Sequence, residues 1–297
     1  MKTVLMTGAS GFIGHHFLKY LKMKYKDARI ILITSKSIDG FTCIARGVDE
    51  YSKVFLDMGI DEINEVIMIG AFAPSNLAEE NNIQGAYSNI SEVEKILYSL
   101  PSIPQKILYC STTGVYDENA DIISERSQIN PRNLYTLSKY FCEKIIEEYS
   151  REHGCECRIA RFGSVYGPEE REDRQSLIQT FVRRAIDKET ITVLDNGIGQ
   201  RNFVYVCDIC RWLFEYLSLK EAPMIVNFAS DTSYTIKQIL EYIDEISQND
   251  LVLKFISDSS ANKRISSYDN SLRISFIGAE EMDFKEGLRN VYNYMIR

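Results

Sequence analysis

The chain has 297 residues, a formal net charge of −8, and a composition that is 45% hydrophobic and 26% charged. This composition is typical of a folded globular protein rather than a disordered one, and the acidic balance lacks the basic footprint of a nucleic-acid-binding protein. Since no apolar stretch has the length of a membrane span and the N-terminal apolar run is too short for a signal sequence, we expect a cytoplasmic protein.

The first half of the sequence alternates short β-rich runs with longer helical patterns. This alternation predicts an α/β fold of the Rossmann type, a doubly wound parallel sheet with helices on both faces. Strands are predicted at KTVLM, RIILIT, KVFL, EVIMIG, KILYC and CRIARF. Helices are predicted over residues 12–24, 76–100 and 134–152. One apolar stripe is predicted on the last helix: Leu134, Leu137, Phe141, Ile145 and Tyr149.

The pattern changes after VYGP at residues 165–168, where a charged segment, EEREDR, is followed by a predicted helix over 177–188 and a strand, ITVL. The segments FVYVCDICRWLFEYL and MIVNFA then resemble the strands and helices of the first half. We therefore predict a dinucleotide-binding Rossmann domain over residues 1–166, to which residues 200–228 return. Residues 167–199 and 229–297 would form a smaller substrate-binding lobe.

The segment TGASGFIG, residues 7–14, places glycines between the first predicted strand and the first predicted helix. A dinucleotide-binding turn requires this context. Gly8 would allow the tight turn, Gly11 would let the backbone approach a pyrophosphate, and Gly14 would let the helix pack closely. The exposed N–H groups and the helix dipole would favour an anion. A purely structural turn is the alternative for an isolated motif.

Tyr135 and Lys139 are four residues apart, so both side chains share one face of the predicted helix. A nearby lysine ammonium stabilises a tyrosine phenolate, and the phenol can then act as a general acid or base near neutral pH. Such a pair by itself is common on exposed helices. The strand KILYC, however, leads into Ser111, Thr112 and Thr113, at the sheet edge where open α/β folds bind ligands. A threonine there would donate a hydrogen bond to a carbonyl oxygen that Tyr135 protonates.

Other reactive side chains give weaker signals. His15 and His16 have no third ligand nearby, so no metal site is expected. The pair Cys207 and Cys210 has redox spacing but is better explained by packing, and the seven cysteines show no disulfide framework. The segment with Lys263 and Arg264 favours a solvated charge cluster over a phosphate contact.

TGASGFIG, STTGVY, YTLSK, RFGSVYGP and GQRNFVYVCDI occur in the order and approximate spacing of the extended short-chain dehydrogenase/reductase family. The chain resembles this family over nearly its whole length. STTGVY and GQRNFVYV are similar to its nucleotide-sugar branch, which contains 4-epimerases, 4,6-dehydratases and 4-ketoreductases.

The resemblance implies a catalytic triad of Thr112, Tyr135 and Lys139, with Thr113 as the less favoured threonine. Lys139 would also hold the nicotinamide ribose, and Arg201 would bind the substrate diphosphate. The implied substrate contacts are Thr112, Thr113, Ser164 and Arg201. The implied contacts of the cofactor outside the second strand are Gly8, Ser10, Gly11, Phe12, Ile13, Gly14, Asp57, Met58, Ala71, Phe72, Ala73, Tyr135, Lys139 and Phe162, of which Asp57 and Met58 match positions that contact adenine.

Four positions depart from the family pattern. Ser164 replaces an asparagine, Asp117 a glycine, Asn202 an aspartate, and Cys207 the first of two aspartates. None of them belongs to the triad, but Ser164 and Asn202 fall on the substrate side and leave the substrate subclass open.

The end of the second strand favours NADP over NAD. An NAD site usually has an acidic residue there to bind the adenosine ribose, whereas this strand ends in Thr34, Ser35 and Lys36, and the next acid is Asp39. Two hydroxyl groups and a cation suit a 2′-phosphate. An ordinary solvated Lys36 is the alternative.

We therefore expect NADPH-dependent reduction of the 4-keto group of a 6-deoxy sugar linked to a nucleoside diphosphate. Epimerases and dehydratases recycle a bound cofactor, whereas a reductase consumes NADPH. The alternatives are a 4-epimerase or 4,6-dehydratase with tightly bound NAD and a non-catalytic NADP-binding sensor.

The long helices predicted over residues 76–100 and 134–152 resemble those of the family's dimer-forming four-helix bundle, so a homodimer is expected. Neither a nucleic acid nor a membrane is expected as a partner.

Overall fold

The computed structural model describes residues 1–74, 76–117, 119–169, 176–248, 250–257 and 267–297. Lys263 and Arg264 lie outside these ranges. The chain divides into two compact units. The first comprises residues 1–117, 128–162 and 210–227, and the second comprises residues 118–127, 163–209 and 228–297. These units divide at residues 162 and 210, where the domain prediction has 166 and 200, and the roles predicted for the two domains stay a prediction.

The described strands, in chain order, are β1 (Thr3–Thr7), β2 (Arg29–Thr34), β3 (Thr42–Ala45), β4 (Glu65–Met68), β5 (Lys106–Thr112), β6 (Ile122–Ile123), β7 (Glu156–Phe162), β8 (Ser164–Tyr166), β9 (Ile191–Leu194), β10 (Gln200–Tyr205), β11 (Ile225–Phe228), β12 (Ser233–Thr235), β13 (Leu253–Ile256) and β14 (Ser267–Tyr268). The described helices are α1 (Phe12–Lys24), α2 (Tyr51–Asp57), α3 (Ile83–Ser99), α4 (Leu134–His153), α5 (Leu177–Ile186), α6 (Val206–Ser218), α7 (Ile236–Ser247), α8 (Ser271–Phe276) and α9 (Phe284–Met295).

The large sheet has the strand order β11-β7-β5-β4-β1-β2-β3, and its ladders from β7 to β3 are parallel. The strand order reverses between β1 and β4, which is the position where doubly wound sheets bind their ligands. The predicted Rossmann-type α/β fold is therefore confirmed. Its central strands are buried on both faces, which explains why they are almost continuously apolar.

The interior of the first unit contains one strong ion pair. Arg161 on β7 donates to both carboxylate oxygens of Glu143 on α4, over 3.0 and 2.5 Å, and both side chains are buried. The guanidinium also lies 4.8 Å from the ring centre of Tyr116. Burial acts to lower the pKa of Arg161, but the hydrogen bonds with Glu143 outweigh it and raise that pKa. This paired geometry is the condition under which two buried charges are tolerated.

The second unit contains the short sheet β12-β10-β8, the parallel pair β13-β9 and the pair β14-β6. Helices α5, α7 and α9 pack against one another around an apolar core that includes Tyr166, Phe203 and Phe284. In the part of the chain that the structure describes, no helix combines the length and the hydropathy that crossing a membrane would need.

In the large sheet, one predicted strand is wrong and one strand was missed. KVFL, residues 53–56, lies in helix α2, because Tyr51 and Phe55 are one helical turn apart and both are buried, whereas Leu56 is 74% exposed. The strand that pairs with β2 is instead β3, where Ile31 lies opposite Thr42. The helix predicted over residues 76–100 is also interrupted. A short 3-10 turn, Leu77–Asn81, precedes α3, and the Asn82 side chain caps the first turn of α3.

Candidate active site

The glycine turn after β1 is tightly packed against the turn after β4. Gly8 has a φ of 77°, and a Cβ atom on it would lie 2.4 Å from the backbone nitrogen of Gly70. A Cβ atom on Gly14 would lie 1.9 Å from the carbonyl oxygen of Gly8. The structure thus shows the tight turn predicted at Gly8 and the close helix packing predicted at Gly14.

The N-terminus of α1 is suited to an anion. Gly11 is its N-cap residue and, as a glycine, has no side chain that could cap the first turn. In contrast, the N-cap side chain of α4, Asn133, accepts a hydrogen bond from the backbone of that helix. The amides of Phe12 and Ile13 therefore begin a helix whose dipole favours a pyrophosphate. This turn and its glycines fit a dinucleotide.

The loop after β4 contains Ala71, Phe72 and Ala73. It is held by Thr7, whose hydroxyl accepts from the Gly70 amide over 3.0 Å, and by Asn89 of α3, whose side-chain oxygen accepts from the Phe72 amide over 2.6 Å. Asn89 is not among the predicted site residues. Its position within α3 gave no signal, because nothing in the sequence indicated that this loop passes over α3.

The end of β2 lies beside the glycine turn. The Ser35 and Ser10 hydroxyl oxygens are 3.3 Å apart. Thr34 is buried, and its hydroxyl donates to the carbonyl oxygen of Lys36 over 3.0 Å, which fixes the path of the backbone. Lys36 itself is exposed. Ser10, Ser35 and Lys36 are thus gathered at the carboxyl edge of the sheet.

Arg46 is a second cation at this edge that the sequence analysis missed. It directly follows β3, and its backbone amide donates to the carbonyl oxygen of Thr34 over 3.1 Å. Its Nε lies 4.0 Å from a carboxylate oxygen of Glu92, which is beyond hydrogen-bonding distance. The missed strand β3 explains the omission, because without it Arg46 has no predicted place in the sheet.

Asp57 and Met58 do not lie at this edge. Asp57 ends α2, and the chain then runs to Asn64, whose amide donates to the Thr3 carbonyl at the amino end of β1. The structure therefore places Asp57 and Met58 at the end of α2, and their adenine contacts stay a prediction.

The predicted triad residues lie at the carboxyl end of β5 and on α4. Thr112 ends β5, and its hydroxyl oxygen accepts from the Gly114 amide over 3.1 Å, so its own hydrogen is directed elsewhere. A Cβ atom on Gly114 would lie 2.9 Å from Thr136 Cγ2. This close approach places the first turn of α4, with Tyr135, against the turn that follows Thr112. Phe162, the last residue of β7, lies opposite Thr112 in the ladder.

Lys139 is 2% exposed and faces the sheet. Its Nζ donates to the Cys110 carbonyl over 2.5 Å and lies 4.2 Å from the ring centre of Tyr109. Burial lowers its pKa, against the opposing effects of Cys142, Cys110 and Glu143.

The apolar stripe predicted on α4 is only partly buried, because Leu137 and Phe141 are 48% and 52% exposed. The buried face of α4 carries Lys139 itself.

The remaining predicted substrate residues are placed as follows. Thr113 is buried in the turn after β5. In the second unit, Ser164 is exposed at the start of β8 and lies opposite Phe203 of β10. Arg201, also on β10, donates to the Gln200 carbonyl over 2.7 Å, and burial lowers its pKa.

Asn202 has a structural role in the second unit. Its amide nitrogen donates to the carbonyl oxygens of Ser230 and Thr232, and its amide oxygen accepts from the Ser230 amide. The residue is 3% exposed. The asparagine that replaces the family aspartate therefore makes both donor and acceptor contacts, which a carboxylate would not satisfy.

The described residues contain no candidate metal-binding site. No group of three or more His, Cys, Asp or Glu side chains is placed there to hold an ion.

The NAD dependent epimerase/dehydratase family matches residues 4–229. The chain belongs to this family. It is 24% identical to UDP-glucuronic acid decarboxylase 6 of Arabidopsis thaliana over 96% of this chain and 86% of that protein. It is 27% identical to a putative UDP-glucose 4-epimerase of Methanocaldococcus jannaschii over 98% of both chains. The UDP-glucuronic acid 4-epimerase of Bacillus cereus, solved with UDP-glucuronic acid and NAD, has the same fold, with a TM-score of 0.84 and 21% identity over 99% of both chains.

The family assignment confirms the predicted resemblance to extended short-chain dehydrogenases/reductases. It also confirms that the chain is an enzyme of the oxidoreductase type, in a family that acts on nucleotide-linked sugars with NAD.

Proposed function

We propose that the protein is an NADPH-dependent reductase of the 4-keto group of a 6-deoxy sugar linked to a nucleoside diphosphate. The observation that carries this proposal is the charge at the carboxyl ends of β2 and β3. Thr34, Ser35 and Lys36 end β2 without an acid, and Arg46 follows β3 with its amide bonded to Thr34. The two cations, with the neighbouring hydroxyl groups of Ser10 and Ser35, suit a 2′-phosphate, whereas a ribose diol would lack its usual carboxylate acceptor.

The choice of NADP bears on the reaction. A cofactor that is oxidised and reduced within one turnover stays bound, whereas a net reduction consumes NADPH and releases NADP. A site that recognises the 2′-phosphate is therefore better suited to a reductase than to an epimerase.

The side chains of the first unit would act as follows. When bound, NADPH supplies hydride to the keto carbon. Tyr135 donates its proton to the keto oxygen, and Thr112 donates a hydrogen bond to the same oxygen, since its own oxygen already accepts from Gly114. The Lys139 ammonium, fixed against Cys110, stabilises the tyrosinate that forms. Arg201 of the second unit is proposed to bind the substrate diphosphate.

The test is an NADPH oxidation assay with 4-keto-6-deoxy sugars linked to different nucleoside diphosphates. Purified protein should consume NADPH faster than NADH, and Tyr135→Phe should lose turnover while it retains NADPH binding. No loss of nicotinamide absorbance with any of these sugars would contradict the proposal. Equal turnover of Tyr135→Phe would contradict the assigned acid.

The second candidate is a 4-epimerase or 4,6-dehydratase with tightly bound NAD. The names of its relatives favour it, because the Methanocaldococcus jannaschii protein is a putative 4-epimerase and the Bacillus cereus 4-epimerase was solved with NAD. Mass spectrometry of the cofactor that purifies with the protein separates the two candidates. Stoichiometric NAD would favour the epimerase or dehydratase.

A non-catalytic NADP sensor is less favoured, because a protein that only binds NADP has no need of Tyr135, Lys139 and Thr112 together.

We further propose a homodimer formed through α3 and α4. These helices pack against each other and expose apolar side chains one turn apart on each, namely Ile83, Tyr87, Leu137 and Phe141. Exposed apolar patches of this kind mark interaction sites. Light scattering at micromolar protein should report a dimer that Phe141→Asp dissociates, and a monomeric wild-type protein would contradict the proposal.

A further inference from the structure

One buried side chain connects the loop after β4 to the helix that carries Tyr135 and Lys139. Asn89 lies in the middle of α3 and is 3% exposed. Its Oδ1 accepts from the Phe72 amide over 2.6 Å, and its Nδ2 donates to the Phe72 carbonyl over 3.1 Å. The side-chain amide thus satisfies both backbone groups of one loop residue, as a neighbouring β-strand would.

The same amide reaches α4. Nδ2 of Asn89 also donates to Oγ of Ser138 over 3.1 Å, and the Ser138 hydroxyl donates to the Tyr135 carbonyl over 2.7 Å. A separate contact joins an α4 side chain to the α3 backbone, because the Cys142 thiol donates to the Asn89 carbonyl over 3.5 Å. Ser138 is 2% exposed and directly precedes Lys139. A chain of hydrogen bonds therefore leads from the loop to the catalytic helix.

The ring of Phe72 is fixed by the same helix. A Cβ atom on Gly85 would lie 2.3 Å from Cδ1 of Phe72, so the ring occupies the space that a side chain at residue 85 would fill. Gly85 and Asn89 are four residues apart and share a face of α3. Phe72 is consequently held through its ring by Gly85 and through its backbone by Asn89.

We propose that Asn89 is a positioning residue that sets the loop containing Phe72 relative to Tyr135 and Lys139. It acts through Phe72 and Ser138 and touches neither substrate nor cofactor. This inference rests on the proposed function, in which that loop passes the cofactor and Tyr135 is the acid. The orientation of the amide is fixed, because the Phe72 amide can only donate and the Phe72 carbonyl can only accept.

Aspartate is the sharpest replacement because it has the same shape. In Asn89→Asp, a carboxylate oxygen would face the Phe72 carbonyl, where two acceptors repel each other. Ser138→Ala removes the hydrogen bond from the Asn89 side chain to α4 and leaves both Phe72 and Cys142 bonded to Asn89. Ser88→Ala is the matched control, since the Ser88 hydroxyl donates within α3 to the Gly85 carbonyl over 2.8 Å.

The experiment measures NADPH affinity by calorimetry and kcat for 4-keto sugar reduction in all four proteins, with circular dichroism to confirm folding. We expect Asn89→Asp to weaken NADPH binding and to lower kcat, each by roughly ten- to a hundred-fold, since misplaced groups cost rates of this order. Ser138→Ala should lower kcat with NADPH affinity unchanged, and Ser88→Ala should match the wild type. A purely structural role would not separate affinity from kcat in this way.

Wild-type affinity and kcat in both Asn89→Asp and Ser138→Ala would overturn the proposal, as would losses of the same size in Ser88→Ala. If the wild-type protein reduces no keto sugar, the proposed function fails, but the affinity for whichever of NADPH and NADH the wild type binds still decides this inference. Weaker binding of that nucleotide in folded Asn89→Asp than in Ser138→Ala would then support it, and equal binding would overturn it. If Asn89→Asp does not fold, Ser138→Ala tests the inference by itself: a lower kcat with unchanged nucleotide affinity would support it, and a wild-type kcat would overturn it.

Discussion

The ammonium group of Lys139 lies 2.5 Å from the carbonyl oxygen of Cys110, two residues before Thr112. This contact fixes α4 to the end of β5, and it does so from inside the protein, since Lys139 is 2% exposed. The position of a buried charge is better defined than that of a surface charge. Tyr135, one turn earlier on the same helix, is therefore held close to the end of β5.

Burial of Lys139 predicts a pH dependence of stability. Its pKa is lowered in the folded protein, mainly by burial, whereas an unfolded lysine has a pKa of about 10.4. Between these two values the unfolded chain binds more protons, so the contribution of Lys139 to the free energy of unfolding rises with pH. Urea denaturation at pH 8, 9 and 10 should show that the stability difference, wild type minus Lys139→Met, increases with pH.

Lys144 provides the control for this prediction. It lies on the same helix, and its hydrogen bond to Glu147 raises its pKa. A raised pKa makes the contribution of Lys144 to the free energy of unfolding fall, rather than rise, with pH. The stability difference between wild type and Lys144→Met should therefore be small and should decline at the highest pH. A flat difference for Lys139→Met would contradict the account of its burial.

Substitution of Gly8 should abolish nucleotide binding. In Gly8→Ala, the new Cβ atom would lie 2.4 Å from the Gly70 backbone, in addition to the strain of a φ of 77°. Gly40→Ala is a matched control, because Gly40 has a φ of 81° but nothing within 4 Å of a Cβ atom. The control should lose about 1–2 kcal/mol of stability from strain alone and should keep its NADPH affinity.

Calorimetric titration with NADPH measures both variants. A Gly8→Ala protein that binds NADPH as well as Gly40→Ala does would show that the packed turns at Gly8 and Gly70 are not part of the cofactor site.

The cations at the ends of β2 and β3 should determine cofactor choice. Lys36→Ala and Arg46→Ala should each weaken NADPH binding about tenfold, because each removes a charge-assisted contact to the 2′-phosphate. NADH affinity should not change in either variant. Lys53→Ala, an exposed lysine on α2, should leave both affinities unchanged. Equal effects on NADPH and NADH would contradict a 2′-phosphate site at these residues.

The buried pair of Arg161 and Glu143 should be important for stability. Glu143→Gln leaves a buried guanidinium without its counter-charge, which costs about 3–5 kcal/mol in comparable pairs. Glu147→Gln removes an exposed partner of Lys144 on the same helix and should have little effect. Chemical denaturation of both variants provides the comparison. Similar losses in the two would show that Arg161 is not dependent on this pairing.

The sequence was most informative where local pattern and tertiary environment agree. β2 and α1 begin and end at the predicted residues. The apolar run of β2 is bounded by polar residues, and α1 begins directly after a glycine turn, so the local pattern defines both elements. KVFL in α2 was predicted as a strand because so short an apolar run is compatible with a strand or with a helix. Its true periodicity is visible only from Tyr51, which precedes the run.

The remaining parts of the site depend on contacts between distant segments. The place of Arg46 at the sheet edge depends on the pairing of β3 with β2, and the contacts of Asn89 depend on the loop after β4 lying over α3. Neither pairing leaves a local signal in the sequence. The exposed Leu137 and Phe141 show the same limit, because an apolar stripe identifies a face that packs but not what packs against it.

The most direct test of the central claim follows the hydride. NADPH deuterated at the transferred position is incubated with the protein and a nucleoside-diphosphate 4-keto-6-deoxy sugar, and the products are analysed by mass spectrometry and NMR. The account predicts one deuterium at C4 of the product for each NADP formed, and no transfer with Tyr135→Phe. A sugar that is epimerised or dehydrated without net oxidation of NADPH would contradict it.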